Sequence, residues 1–351
     1  MLCHVQSSSA IKYVVSAARL TLRVSPVAAL RPHKITMAIT HENGHAAFSI
    51  PTVDLKAYLA DPNSAEAEDI VTQIRVACTT SGFFLITGHG IPESLQGRVL
   101  AAAKAVFALP DDEKRKLSGK PGRGYEIIGT QVLEAGKKPD LKEGYFIGRE
   151  IPGNKPPYRP FQEPNLWPPH IPEEQFRQPL IEYHRALSEL SFHLMRILAG
   201  GLRDFDTTVF EEFCRDPIAS LRLLHYPPHP DHEDPALVGA GAHTDFGAIT
   251  LLLQDGHSGL QVLNQFTKEW IDVPPREHAY VINVGDMLEA WTSGAYKSNV
   301  HRVINTSGTD RYSVPFFLDG NADCVISPLD GSNGKAFTVE EHMLSRYAES
   351  Y

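Results

Sequence analysis

From residue 219 onward the chain consists of short apolar runs separated by Gly- and Pro-containing turns, and this pattern limits the possible folds more than any other feature. Runs of this length are typical of β-strands, and their number indicates a β-sandwich, a jelly roll or a barrel. In chain order they read ASLRLLHYP, AITLLLQ, LQVLN, WIDVP, AYVINVG, SNVHRVIN and RYSVPFFLD. We therefore expect a mainly β protein with flanking helices.

Helical patterns dominate the residues before this point. Apolar side chains recur at helical spacing, with prolines at the start of two segments and Gly82 at the end of one. The predicted helices cover residues 64–82, 91–109, 110–117 and 173–202, the last being the longest and the candidate for a central packing helix. We further predict strands at 48–55 and 83–90, a loop-rich segment at 118–175 and a terminal helix at 338–351.

Bulk composition excludes several functional classes. A formal net charge of −9 argues against general affinity for nucleic acid or anionic lipid. No apolar run is long enough to span a bilayer. The cysteines form no CxxC pattern, which excludes a cysteine zinc site and fits a reducing, intracellular compartment; they are Cys3, Cys78, Cys214 and Cys324. We expect a small-molecule substrate and no obligatory protein partner.

The first 40 residues differ from the rest of the chain. They hold five cationic residues and no acidic one, so that residues 41–351 carry a formal charge of −14 against −9 for the whole chain. Such a segment is typical of a mitochondrial presequence, whereas Met37 would give an ordinary start and make residues 1–36 an over-long beginning. Either interpretation excludes the segment from the fold. It leaves a cytoplasmic location, or a mitochondrial one if residues 1–36 are a genuine presequence.

The pattern His-x-Asp occurs three times within residues 229–247. The first two, at 229–231 and 232–234, lie among four prolines, which predicts a solvated loop. The third, His243-Thr244-Asp245, follows small residues and precedes the predicted strand FGAITLLLQ. Side chains two residues apart in an extended chain point to the same side, so His243 and Asp245 are expected to face inward together.

A third candidate ligand, His301, comes from a separate strand. The segment SNVHRVINTSGTDRYSVPFF reads as a hairpin about residues 306–307, which would bring His301 opposite Arg311 or its neighbours. Arg311 and Ser313 again share a face. A guanidinium beside a hydroxyl suits a carboxylate, which the guanidinium holds by two parallel hydrogen bonds.

Two histidines and one carboxylate form the facial triad of non-haem Fe(II) oxygenases. Three coordination positions then stay open, two for a 2-oxo acid and one for O2, and Arg311 is available to the distant carboxylate of 2-oxoglutarate. The same three ligands also suit Zn²⁺, as in a jelly-roll metal-dependent isomerase or hydrolase. That alternative does not explain why Arg311 and Ser313 stand at this spacing.

These residues make the chain resemble the isopenicillin N synthase-like family of Fe(II)/2-oxoglutarate-dependent oxygenases, over most of residues 48–320. The C-terminal block is the more specific part, with HTDFGAITLLLQD, GLQV, VINVGDMLEAWTSGAYKSNVHRV and RYSVPFF in family order. The N-terminal half matches through GFFLITGHGIP, VFALPDDEKRKL, GRGYE and DLKEGYFIG.

The resemblance implies a double-stranded β-helix (jelly roll) core with a helical N-terminal region. It divides the chain into a leader at 1–40, an N-terminal dioxygenase region at 48–160, central helices at 161–215, the jelly-roll core at 219–320 and a C-terminal segment with a helix at 321–351. It implies Fe(II) ligands at His243, Asp245 and His301, and it assigns 2-oxoglutarate to Arg311, Ser313 and Tyr226. The implied reaction uses O2 to hydroxylate, desaturate or rearrange a small organic metabolite, with release of succinate and CO2.

One residue departs from the family pattern. Plant members usually carry Asn two positions before the tyrosine, whereas Leu224 stands here. Isopenicillin N synthase itself oxidises its substrate without 2-oxoglutarate, so an Fe(II) oxidase of that kind stays an alternative. Two phenylalanines, Phe246 and Phe317, are candidates for the wall of a substrate pocket, with core packing as the alternative for each.

Overall fold

The computed structural model describes residues 48–119, 122–134, 136–203, 205–229 and 238–350. The predicted leader at 1–40 lies outside the described residues, and so do the carboxylates of the first two His-x-Asp patterns. Within the described residues, no helix has both the length and the apolar character needed to cross a membrane.

The predicted helices are present. Helix α2 begins where the Ser64 hydroxyl accepts a hydrogen bond from the Ala67 N–H at 3.1 Å, and two glutamates occupy its first turn. Helix α5 is the longest and buries one face along its whole length. The bounds are α1 Lys56–Ala60, α2 Ala65–Thr80, α3 Glu93–Phe107, α4 Asp111–Lys116, α5 Arg177–Gly200, α6 Val209–Phe213, α7 Asp286–Trp291 and α8 Val339–Ser350.

Two facing sheets form the mainly β core. The strands are β1 Thr52–Asp54, β2 Phe83–Thr87, β3 Gly124–Glu126, β4 Glu143–Gly148, β5 Ile218–Tyr226, β6 Ala240–His243, β7 Ile249–Gln254, β8 Leu260–Leu263, β9 Trp270–Asp272, β10 Tyr280–Val284, β11 His301–Val303, β12 Arg311–Gly320, β13 Val325–Ile326 and β14 Phe337–Thr338. The larger sheet has the order β1-β2-β10-β7-β12-β5-β4-β3, and the smaller one has the order β6-β11-β8-β9. This is the jelly-roll core that the resemblance implied.

Successive side chains of strand β12 point to opposite faces of the sheet, so one set packs in the core and the other set lines the site. Val314, Phe316 and Leu318 are fully buried in the core that the larger sheet shares with the helices. The alternate residues of β12 face the other way and line a cavity between the sheets; they are Arg311, Ser313, Pro315, Phe317 and Asp319. The larger sheet is therefore backed by helices on one face and carries the site on the other.

Two strands lie inside the segment that was predicted to be loop-rich. Strands β3 and β4 extend the larger sheet beyond β5, and every residue of β4 is buried. The sequence Glu-Gly-Tyr-Phe-Ile-Gly does not alternate between polar and apolar residues, and it begins with a glutamate, Glu143, a residue type that usually lies at the surface. Glu143 is instead buried because Lys114, Tyr125 and His225 all contact its carboxylate, at 2.6–2.9 Å.

The predicted hairpin between His301 and Arg311 is wrong. β11 pairs with β6 and β8 in the smaller sheet, whereas β12 pairs with β5 and β7 in the larger one. The connection crosses between the sheets, and the Asn305 side-chain amide stabilises it by donating to the carbonyls of Tyr226 at 3.0 Å and Thr309 at 2.8 Å. His301 and Arg311 therefore line one cavity from opposite sheets.

Candidate active site

Three candidate ligands converge where β6, the turn after it and β11 meet. His301 pairs directly with His243 across the two strands, and Asp245 follows two residues after the end of β6. Asp245 Oδ1 lies 3.8 Å from His243 Nε2 and 3.7 Å from His301 Nε2. One ligand atom from each residue lies within 4.8 Å of the others, so the three side chains form a site of metal-binding dimensions.

Hydrogen bonds to the backbone fix the orientation of both imidazoles. His243 Nδ1 donates to the Gly241 carbonyl at 2.7 Å, and His301 Nδ1 donates to the Asn299 carbonyl at 3.2 Å. A carbonyl oxygen only accepts, so each Nδ1 carries the proton. Each Nε2 then has its lone pair directed at the Asp245 carboxylate and is available to a cation.

Asp245 is held by one of its two oxygens. Its Oδ2 accepts from the Thr250 hydroxyl at 2.5 Å and from the Asn283 amide at 2.7 Å. Thr250 and Asn283 are paired neighbours on β7 and β10, so the larger sheet positions the carboxylate. Oδ1 is thereby left to face the two histidines.

The electrostatics of the triad favour metal binding. Burial, followed by the neighbouring His301 ring, lowers the pKa of His243 to about 3, so the imidazole is neutral. Burial acts to raise the pKa of Asp245, but the two histidines and the hydrogen bonds from Asn283 and Thr250 outweigh it and lower that pKa. The neutral imidazole of His243 and the lowered pKa of Asp245 are what a divalent cation requires of such ligands.

Arg311 is fully buried and has an unused donor. Its Nη2 donates to Gln254 Oε1 at 3.1 Å, its Nε donates to the His257 carbonyl at 3.3 Å, and its guanidinium lies over the Tyr226 ring at 4.9 Å. Its Nη1 is buried without a hydrogen-bond partner among the described residues. A buried charged donor with no acceptor is costly, which indicates that an anionic group completes this site.

The other residues predicted around Arg311 lie beside it. The cross-strand register pairs Arg311 with Tyr226 and Ser313 with Leu224, and the Tyr226 hydroxyl is hydrogen-bonded to Ser313. With the triad these four residues line a cavity, here called the Arg311 chamber. Leu224, the departure from the family pattern, contributes an apolar stretch to its wall.

Lys142 also lines the Arg311 chamber. Its ammonium forms an ion pair with Asp140, and the two side chains are 3% and 2% exposed. Burial lowers the pKa of Lys142 to about 8, although Asp140 opposes the shift. The positive charge of Lys142 makes a minor contribution to the lowered pKa of His243.

A second cavity adjoins the triad and is here called the Asp319 chamber. His243, Asp245 and Phe317 line both chambers. The other walls of the Asp319 chamber are largely aromatic, with Phe146, Phe246 and Tyr347, and its polar residues are Gln131, Ser220, Arg222 and Asp319. Phe246 and Phe317 therefore line a cavity beside the triad.

Asp319 is the buried acid of the second chamber. Burial and, to a lesser extent, the charge of Asp245 raise the pKa of Asp319 to about 8. Its carboxyl packs closely against the Gly247 backbone, because a Cβ atom added to Gly247 would lie 2.2 Å from Asp319 Oδ1. The second chamber thus combines aromatic walls with a buried carboxyl group a short distance from the triad.

Sequence reasoning missed Lys142, Asp319, Thr250 and Asn283 as residues of the site. Asp319 had a usable signal, because it continues the alternation that links Arg311, Ser313 and Phe317 along one strand. Thr250 and Asn283 had none, since their contact with Asp245 depends on β7 and β10 being neighbours in the sheet.

Two protein families match the chain over the regions that build these chambers. Residues 50–170 match the family described as the non-haem dioxygenase in morphine synthesis N-terminal. Residues 217–320 match the 2OG-Fe(II) oxygenase superfamily, and this range contains the triad, Arg311, Ser313 and Tyr226.

Similar proteins match over nearly their whole length. The 2-oxoglutarate-dependent dioxygenase citB of Monascus ruber is 48% identical over 319 residues, which cover 87% of this chain and 97% of that protein. Clavatol oxidase claD of Penicillium crustosum is 42% identical over 330 residues, again 87% and 97% of the two chains. Among solved structures, a full-length Neurospora crassa protein in complex with alpha-KG and thymine matches with a TM-score of 0.76 and 27% identity, over 89% of this chain and 99% of that one.

Proposed function

The chain belongs to the 2OG-Fe(II) oxygenase superfamily and is an Fe(II)- and 2-oxoglutarate-dependent dioxygenase, and from this premise we propose that His243, Asp245 and His301 are its iron ligands. The donor set fits the metal, because two imidazoles and one carboxylate form the facial triad that binds Fe(II) and leaves coordination positions open. The observation that carries the assignment is the convergence of the three ligand atoms within 4.8 Å, beside a buried guanidinium that has an unused N–H.

We propose further that Arg311, Ser313 and Tyr226 bind the distal carboxylate of 2-oxoglutarate. Arg311 Nη1 lacks an acceptor among the described residues, and the Ser313 and Tyr226 hydroxyls lie beside it on the neighbouring strand positions. A carboxylate at this point accepts from the guanidinium and satisfies its buried charge. Bound Fe(II) supplies the activation of O2 that is coupled to the oxidation of 2-oxoglutarate to succinate and CO2.

The Asp319 chamber is the proposed substrate site. Aromatic walls suit a planar ring, and Asp319, Gln131 and Arg222 offer hydrogen bonds to polar groups on that ring. The thymine in the Neurospora crassa complex and the clavatol oxidase activity named for claD favour a ring-containing metabolite for this chain as well.

The chain is further proposed to act as a single-chain enzyme on a small molecule inside the cell. The net charge of −9 and the free thiols of Cys78, Cys214 and Cys324 support this location. Fluorescent fusions with and without residues 1–36 distinguish a cytoplasmic from a mitochondrial enzyme, because only a genuine presequence would redirect the longer form.

The iron and 2-oxoglutarate assignments are tested together under anaerobic conditions. Adding Fe(II) and 2-oxoglutarate to the protein is expected to give a weak visible absorption band at about 500–530 nm, which arises from a 2-oxo acid chelated to iron in such a triad. His243→Ala and Asp245→Ala should lose both the band and turnover.

His170→Ala serves as the matched control. His170 is an exposed histidine that contacts a carboxylate, Glu113, at 3.5 Å, and it lines neither chamber. The control should keep the band and the turnover. A band that survives in Asp245→Ala would contradict the ligand assignment, and iron binding without any band on addition of 2-oxoglutarate would contradict the cosubstrate assignment.

A further inference from the structure

Resting on the proposed function, we propose that the substrate is a planar ring that carries a hydrogen-bond donor for Asp319 and a hydrogen-bond acceptor for Gln131. A ring hydroxyl or a ring N–H supplies the donor, and a carbonyl oxygen supplies the acceptor. The proposal goes beyond the presence of polar side chains in the Asp319 chamber, because it assigns one direction of hydrogen bonding to each of two residues.

Asp319 is a buried acid without a hydrogen bond. The residue is 3% exposed and lines the chamber, and neither of its carboxyl oxygens accepts a hydrogen bond from the described residues. A buried polar group without a partner costs free energy, which indicates that a ligand completes it. A carboxylate only accepts, and a protonated carboxyl keeps an acceptor oxygen, so a donor on the ligand pairs with Asp319 in either state.

The backbone holds Asp319 beside the triad. The Ala248 N–H donates to the Leu318 carbonyl at 3.0 Å, which connects the end of β12 to the segment that follows Asp245. The Asp319 carboxyl also packs against Gly247, and both residues line the chamber. A substrate group bound to Asp319 is therefore placed next to the proposed iron site.

Gln131 offers the opposite kind of hydrogen bond. Its side-chain oxygen accepts from Arg222 Nη2 at 3.0 Å, and because a guanidinium only donates, this contact fixes which end of the amide is the oxygen. The Gln131 amide nitrogen keeps two N–H donors and has no acceptor within the described ranges, although the residue is only 6% exposed. The Gln131 main-chain carbonyl accepts from the Asp140 N–H at 2.9 Å, which fixes the loop where its side chain lines the chamber.

The two polar groups are separated along the chamber. The pairing of β5 with β12 places Arg222, the partner of Gln131, opposite Pro315. Asp319 stands four residues further along β12, which corresponds to about 13 Å of extended strand. A ring with a donor at one edge and an acceptor at the opposite edge matches this arrangement, and the aromatic walls of the chamber suit its faces.

Binding measurements with matched ring compounds test the proposal. The protein is loaded with Mn(II) and 2-oxoglutarate so that nothing turns over, and titration calorimetry measures dissociation constants. 4-Hydroxyacetophenone carries both groups, 4-methoxyacetophenone lacks the donor and 4-ethylphenol lacks the acceptor. Each loss should weaken binding about 5- to 100-fold, the range for leaving a buried polar group without its partner. Thymine against 1,3-dimethylthymine makes the same comparison for a ring N–H, and the pair that differs more identifies the source of the donor.

Two variants assign the preferences to residues. Asp319→Leu should remove the preference for the hydroxy over the methoxy compound and keep the preference for the carbonyl group. Gln131→Glu keeps an acceptor for Arg222 but removes the N–H donors, so it should do the reverse. Asp319→Leu removes a buried polar group that has no partner, so the variant should unfold at no lower temperature than the wild type.

Two more variants serve as controls. Asp319→Asn keeps an acceptor oxygen and should retain part of the preference for the hydroxy compound. Asp272→Leu changes an exposed acid on β9, which accepts from the Gln261 amide at 2.9 Å and lines neither chamber, so both preferences should stay unchanged.

Three results would overturn the proposal. One is equal affinity of the wild type for both members of each donor pair, and another is a hydroxy preference that survives in Asp319→Leu. The third is the absence of binding by every ring compound to the loaded protein. A protein that does not bind 2-oxoglutarate in the presence of Mn(II) would instead contradict the proposed function, so the two failures are distinguishable.

Discussion

At the scale of single residues, each candidate ligand forms hydrogen bonds within the protein through the atom that would not bind the metal. Both histidines use Nδ1 on a backbone carbonyl, and Asp245 uses Oδ2 on Thr250 and Asn283. The atoms that remain all point toward the same small volume. Such preorganisation lowers the entropic cost of binding a cation, because the side chains are ordered before it arrives.

Arg311→Met is expected to raise the apparent KM for 2-oxoglutarate by about 10- to 100-fold, because the distal carboxylate loses its charge-assisted hydrogen bond from the guanidinium. The maximal rate at saturating 2-oxoglutarate should change much less. Initial-rate kinetics on succinate release check both values. Arg302→Met is the control, since Arg302 neighbours His301 but lies over the Trp270 ring at 4.0 Å. An unchanged KM in Arg311→Met would contradict the assignment.

His225 makes part of the folding stability depend on pH. Burial opposes the charged imidazole, but hydrogen bonds to Glu143 at 2.7 Å and Asp310 at 2.8 Å outweigh it and raise the pKa of His225. A pKa raised in the folded state gives stability that is fully present below the unfolded value of about 6.5 and is lost as the pH rises through the folded pKa.

Urea unfolding of wild type and His225→Gln is the corresponding measurement. The difference in free energy of unfolding between the two should be larger at about pH 5.5, below the unfolded pKa, than at about pH 8.5. His170→Gln, an exposed histidine, should show little such dependence. A difference that grows with pH would show that the sign is wrong.

At the scale of elements, hydrogen bonds and an ion pair connect helix α8 to the turn that carries two of the proposed metal ligands. Asp286, the first residue of α7, accepts from the Thr244 hydroxyl at 3.0 Å and forms an ion pair with Arg346 of α8 at 3.1 Å. Thr244 stands between His243 and Asp245. The same helix contributes Met343 and Tyr347 to the Asp319 chamber, so one ion pair connects a wall of the proposed substrate site to the triad.

Removing the ion pair that holds α8 should increase the mobility of this helix and leave metal and 2-oxoglutarate binding unchanged. In Arg346→Met we expect faster amide hydrogen exchange across residues 339–349 and an unchanged visible band with Fe(II) and 2-oxoglutarate. Exchange measured by mass spectrometry gives the first value and anaerobic spectra give the second. Arg98→Met breaks a comparable exposed pair, Arg98–Glu182 at 2.7 Å, and should leave exchange in α8 unchanged. Equal exchange in both variants would contradict the coupling.

The elements also show what the sequence could and could not predict. Helices such as α2 and α5 were predictable because their apolar stripe and their caps are local. Strand β4 was missed because Glu143 is buried through partners that are 18 to 82 residues distant. The hairpin at residues 306–307 was wrong because Asn305 directs the chain to the other sheet through bonds to Tyr226 and Thr309, which no local pattern reveals.

At the scale of the whole molecule, ligands of the triad should stabilise the fold by mass action. A ligand at one hundred times its dissociation constant contributes about 2.7 kcal/mol, which for a domain of this size corresponds to an increase in Tm of about 4 °C. Differential scanning fluorimetry with Mn(II) and 2-oxoglutarate measures the shift. Asp245→Ala should lose it, whereas His170→Ala should keep it. A shift of equal size in Asp245→Ala would mean that the metal binds elsewhere.

Strand β12 has a consequence for how such an enzyme can diverge. Its cavity face begins with Arg311 and Ser313 at the proposed cosubstrate end and finishes with Phe317 and Asp319 at the proposed substrate end. Point substitutions at positions 317 and 319 can therefore change what is oxidised without touching the group that holds the cosubstrate. A one-residue insertion in this strand is a different event, because it would exchange the cavity face for the helix-packed face. Substitutions at one end of the strand can therefore change substrate preference, whereas an insertion or deletion within the strand would disrupt both faces.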